Sequence, residues 1–135
     1  MRDDLVEPLR AYIEAAQDAP MVWGVSDCSM WPAGWVESVH GRPISLPKWS
    51  SREEAHALIR KAGSLDALWA EALLPFHGVR EAGVPDYGDV GIVETGRFGQ
   101  VGGIFLHGGY FAWRAEPAGV LFLMPRDIVR VWSIR

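Results

Sequence analysis

A chain of 135 residues has room for one domain around a single core, and an apolar content of 49% suits a globular fold. Its net charge of −4 argues against nucleic acid as a partner, because phosphate binding needs a basic face. A single cysteine excludes an internal disulfide, and with four scattered histidines it offers no metal-ligand spacing, so no metal or cofactor is expected.

The chain opens on Met1-Arg2-Asp3-Asp4, an acidic start without the apolar region of a signal peptide, and no apolar run reaches the length of a membrane span. Synthesis in a reducing cytoplasm is expected. Asp4-x-x-Glu7 has the form of a capping box, and Leu5, Val6, Leu9, Tyr12, Ile13 and Ala16 recur at helical spacing, which predicts a helix over residues 5–17. Residues 21–26 form a loop leading to Cys28, and a second helix is expected over 28–39, capped by Gly41 in the left-handed conformation. In that helix Pro32 falls one residue past the first turn and Gly34 costs about 1 kcal/mol relative to alanine, so it reads as bent. After a Pro-containing loop, Ser51-x-x-Glu54 starts a third helix whose Ala55, Leu58, Ile59 and Ala62 make an apolar face, with His56 off it and solvated. Gly63-Ser64 stops it and caps a fourth over 65–74, which Pro75 ends.

From Gly88 the period changes from helical to extended. Residues 90–94, 101–106, 110–115, 120–123 and 129–134 read as five short strands separated by Gly- or Pro-rich turns. Helices followed by strands predict one α+β domain over 1–135, with N-terminal helices packed on a C-terminal antiparallel sheet or half-closed barrel. Among the seven tryptophans, Trp23, Trp31 and Trp69 suit the core, whereas Trp49 and Trp132 stand in polar or terminal contexts and are candidates for an interface.

Cys28 is the candidate nucleophile. With Asp27 or Ser26 as N-cap it would occupy the first helical position, where free amides and the helix dipole favour a thiolate. On geometry alone the stronger reading is a small buried apolar residue beneath a helix.

Trp23-Gly24-x-x-Asp27-Cys28, the aromatics Trp31 and Trp35, and Gly88-Asp89-Val90 opening a strand together resemble the NlpC-like branch of papain-like cysteine peptidases, closest to small relatives encoded in phage and prophage tail modules. The resemblance spans roughly residues 5–134. It implies a cysteine at a helix start, a histidine base on the second strand of the sheet and a polar orienting residue on the third. Val101-Gly102-Gly103-Ile104-Phe105 meets the strand that carries the histidine, so Val101 stands where the base belongs, and the orienting position falls near Trp113. Neither side chain relays a proton. His107 is the best substitute on the same strand, but six residues along an extended chain is on the order of 20 Å. The resemblance therefore implies a pseudoenzyme: a structural or adaptor protein of a phage or prophage tail tip or baseplate, made in the bacterial cytoplasm and destined for the virion tail. Its partners would be other tail-tip, baseplate or hub proteins, with peptidoglycan as a further ligand. The alternative is an active cysteine hydrolase, a peptidoglycan endopeptidase or amidase with Cys28 as nucleophile.

Overall fold

Residues 2–135 are described by a computed structural model; Met1 lies outside them. The helices are α1 (Val6–Gln17), α2 (Met30–His40), α3 (Arg52–Ala62) and α4 (Leu65–Leu73), followed by strands β1 (Arg80–Ala82), β2 (Val90–Thr95), β3 (Gly99–Phe105), β4 (Phe111–Arg114), β5 (Val120–Leu123) and β6 (Asp127–Ser133). The architecture is α+β, with no helix among the described residues long and apolar enough to cross a membrane.

Local chemistry explains most boundaries. Ser51 Oγ accepts the Glu54 amide at 3.1 Å and Ser64 Oγ accepts the Ala67 amide at 3.2 Å, each satisfying a free donor at a helix start. Gly41 ends α2 at φ 70°, a value L-side chains rarely adopt. The expected capping box at Asp4 does not form. A 3-10 turn (Asp3–Leu5) precedes α1 instead, and the Asp4 carboxylate accepts a bond from Arg135.

Helix α2 begins two residues later than expected, and this changes the meaning of both of its awkward residues. Pro32 becomes the third helical residue, in the first turn, where amides lack an intrahelical partner anyway. Gly34 is a packing requirement rather than a weakness. The Tyr12 hydroxyl donates to the Trp31 carbonyl at 2.6 Å, its ring stacks on Trp31 at 5.5 Å, and a Cβ at position 34 would overlap the hydroxyl oxygen. Helix propensity alone predicts that Gly34→Ala stabilises by about 1 kcal/mol. The packing predicts a net loss of about 1–2 kcal/mol in a denaturant titration, because overpacking costs more than propensity returns. In the background of Tyr12→Phe, which removes the clashing oxygen, the same Gly34→Ala change should no longer destabilise.

The sheet has six strands rather than five and is not closed; its order is β1-β6-β2-β3-β4-β5, with every pairing antiparallel. The final strand thus inserts between β1 and β2, setting Trp132 beside Val90. Strand alternation sends residues to two apolar clusters. One joins the helices to the sheet and includes Leu9, Trp35, Trp69, Ile92, Ile104 and Trp132. The other lies on the opposite face, contains no helical residue, and is built of Val93, Val101, Phe105, Phe111, Trp113 and Val131. There the rings of Phe105 and Phe111, 4.9 Å apart, lie over Gly91 and Gly103, where any Cβ would strike them.

Trp49 and Trp132, the interface candidates, are both buried within the chain. Trp132 sits against Trp69 at 5.7 Å, and the Trp49 indole is tied to a buried carboxylate. Their polar or terminal neighbours in sequence conceal positions that only tertiary packing creates.

Candidate functional site

The loop before α2 is organised by Asp27, which is 1% exposed. Its Oδ2 accepts the Gly24 amide at 2.7 Å and the Trp49 indole N–H at 2.6 Å, and its Oδ1 accepts the amides of Ser29 and Met30 at 3.0 Å each. A buried carboxylate needs such donors to offset its lost hydration. Gly24 supplies the close approach at the turn: at φ 85° it lies against the Trp49 carbonyl, leaving no space for a Cβ.

Cys28 therefore lies in the turn before the helix rather than at its first residue, and Ser29 is the capping position. The amides expected to face the sulfur are already taken by the Asp27 carboxylate. Burial pushes the Cys28 thiol up to about 11; the Gly102 amide pulls the other way, and the charge of Asp27 adds to the rise. The groups that chiefly set this value include no imidazole. Gly102 faces Cys28 across the packing of α2 and α4 on β3. A Cβ there would come within 2.6 Å of the Cys28 carbonyl and would overlap the Trp69 ring, whose N–H donates to Ser29 Oγ at 2.9 Å.

A cavity of about 250 Å³ opens beside the cysteine, and both Val101 and Trp113 line it. The two side chains belong to the cluster on the far face of the sheet, so the strand residue that meets Cys28 directly is Gly102, which has no side chain. The Trp113 indole nitrogen is buried without a hydrogen-bond partner among the described residues, and its ring packs on Phe98 at 5.1 Å. His56, Glu116 and Trp23 also line it, so Trp23 is half-buried on the cavity wall rather than in the core as expected. Trp23 donates its indole N–H to Glu116 Oε2 at 2.8 Å, and the exposed His56 stands edge-on to Trp23 at 6.3 Å.

His107 is not brought to this cavity. It lies in the 3-10 turn His107–Gly109, stacked on Tyr87 at 4.1 Å, and lines a separate groove with Val6 and Ile13 of α1. His40 bonds the Ile134 carbonyl at 2.7 Å, and the His77 carbonyl accepts from Arg42. Asp89 of the Gly88-Asp89-Val90 motif is likewise a buried hub: it accepts the amides of Asp86 at 2.8 Å and Ile134 at 3.2 Å and pairs with Arg2, which also reaches Ser133 Oγ at 3.1 Å. No group of three or more His, Cys, Asp or Glu among the described residues could hold a metal ion.

One residue that braces the Cys28 loop escapes sequence reasoning altogether. Arg114, 2% exposed, forms no ion pair among the described residues and donates to five main-chain carbonyls: Ala16 at 2.6 Å, Pro20 at 2.9 Å, Gly119 at 3.0 Å, and Ala19 and Ser26 at 3.2 Å each. It ties the end of α1 and the loop carrying Cys28 to β4. Lying next to Trp113 on a strand, it gave no local signal of burial.

A family model described as Domain of unknown function (DUF6950) matches residues 1–134 of the chain. No curated protein matches it.

Proposed function

We propose that this chain, which belongs to the DUF6950 family through a match to residues 1–134, is a non-catalytic tail component. It would act as a structural or adaptor protein of a phage or prophage tail tip or baseplate, on a degenerate NlpC-like fold. The tail placement follows from the motif resemblance around Trp23-Gly24-x-x-Asp27-Cys28. One observation supports the loss of catalysis: the half-buried Cys28, on the wall of its cavity, has Asp27 rather than an imidazole as its charged neighbour, which together with desolvation pushes its proton affinity up. A nucleophilic cysteine needs the opposite, a lowered proton affinity or an adjacent base.

Iodoacetamide labelling of Cys28 across pH tests this directly. The expected midpoint lies near 11, with negligible labelling at neutral pH; a midpoint below about 8.5 would overturn the reading. The same proton links to stability. The fold holds the thiol proton more tightly than the unfolded chain does, so the contribution is full below the unfolded value near 8.5 and is lost as pH rises through about 11. It amounts to about 3 kcal/mol.

A second reading, an active cysteine hydrolase acting on peptidoglycan, draws on His56 and Glu116, which share the cavity with Cys28. Turnover of cell-wall fragments that disappears in both Cys28→Ala and His56→Ala would establish it in place of the first.

A further inference from the structure

Strand β5 ends the sheet order, so one of its edges has no neighbouring strand. The Ala115 amide donates to the Gly119 carbonyl at 3.0 Å, and β4 sets Trp113 opposite Leu121 and Phe111 opposite Leu123. Bonding positions alternate along an antiparallel ladder, so Leu121 and Leu123 turn their amides and carbonyls toward β4. Val120, Phe122 and Met124 turn theirs outward.

The start of this edge is already covered by the chain itself. The Met21 amide donates to the Pro117 carbonyl at 2.8 Å, the Gly119 amide donates to the Ala19 carbonyl at 3.2 Å, and Pro20 bridges Ala118. At the other end Pro125 has no N–H to offer. The open stretch is therefore residues 120–124. Edges are ordinarily guarded by charges or covered, yet residues 119–125 carry none. Leu121, Phe122 and Met124 are exposed at 46%, 48% and 58%.

We infer that this edge pairs with the same edge of a second copy of the chain, about a two-fold axis through Phe122. Only that register uses the outward groups of both strands along the whole open stretch. Phe122 meets Phe122 of the partner subunit, and Val120 meets Met124 of the partner subunit. Leu121 faces Leu123 of the partner subunit on the other side of the sheet. An axis on Leu121 or Leu123 would pair only two of the three outward residues, setting Met124 opposite Ala118 or Val120 opposite Arg126. An axis on Val120 would drive one copy into the segment at Pro20, and an axis on Met124 would carry the pairing past Pro125. A second copy also supplies by symmetry what an unrelated peptide would have to match: an apolar strand of equal length ending at a proline. So short a pairing buries less than the roughly 1,200 Å² of a standard interface, so the dimer forms and dissociates with concentration. The pairing is independent of what happens at Cys28.

Sedimentation of the full chain over a wide concentration range tests this. The wild type should move from monomer to dimer. Phe122→Lys sets two ammonium groups across the axis, where like charges directly opposite repel, and should stay monomeric while keeping its fold, since Phe122 is already exposed. Amide exchange supplies a second readout: the Phe122 amide should gain protection with concentration, while Leu121 and Leu123 are protected throughout. A chain that stays monomeric, a dimer that survives Phe122→Lys, or protection gained elsewhere would each overturn the inference.

Discussion

Arg114→Met is expected to destabilise the fold by about 4 kcal/mol, a large part of the 5–15 kcal/mol typical of a domain. Methionine matches the length and apolar stem of arginine but has no donor. The carbonyls of Pro20 and Ser26 would then lose their guanidinium donor outright, and those of Ala16, Ala19 and Gly119 would keep only main-chain amides. Each bond to a charged donor contributes about 1.5–3 kcal/mol, although such bonds are not additive in one cluster. For a domain of this size the loss corresponds to a melting temperature lower by on the order of 15 °C. Arg114→Lys separates charge from geometry. It keeps the positive charge but offers one nitrogen instead of a planar fork of five donors, so it should recover less than half of the loss. Thermal melts of the two variants check the point, and a methionine variant within a degree or two of wild type would mean that the carbonyls find other partners.

Asp27→Ala should cost about 3 kcal/mol, because it strips acceptors from three amides and the buried Trp49 indole at once. The informative partner is Asp27→Asn, which keeps one acceptor oxygen for the amides at the start of α2 while removing the charge. Since the Asp27 carboxylate raises the proton affinity of Cys28, neutralising it should bring the thiol down from about 11. In an alkylation titration the midpoint should move toward neutral pH in Asp27→Asn and further in Asp27→Ala, where freed amides face the sulfur. An unchanged midpoint in both would show that desolvation alone holds the proton on. This pairing explains how a helix start can raise, rather than lower, the proton affinity of a neighbouring thiol.

The four helices and five of the strands were legible because their signals are local: apolar spacing, Ser51 and Ser64 caps, and glycines at turns. Strand β1 was not, because Arg80-Glu81-Ala82 has neither alternation nor β-branched residues and exists only through its pairing with Ser133, Trp132 and Val131. The insertion of β6 between β1 and β2 is equally non-local. At the site, the prominence of Asp27-Cys28 was visible, but not which group takes up the amides at the helix start. Sequence spacing assigns the helix-start amides to the sulfur, and only the fold shows Asp27 occupying them. Arg114 was invisible for a related reason, since an arginine on a short strand reads as a solvated residue unless five carbonyls from distant segments converge on it. Position 101 was aligned with the family's base by motif, yet side-chain alternation sends Val101 to the cluster behind the sheet and leaves Gly102 at the cysteine.

The clasp at Asp89 has a topological consequence. Arg2 from one end of the chain and the Ile134 amide from the other bind the same carboxylate, and Arg135 reaches Asp4 at 2.9 Å. A few added residues could splice these ends into a ring. Reopened at the exposed hairpin around Gly96, such a permuted polypeptide would begin on β3 and finish on β2 with all of its strand neighbours retained. The order in which this architecture is written along the gene is thus separable from the architecture itself.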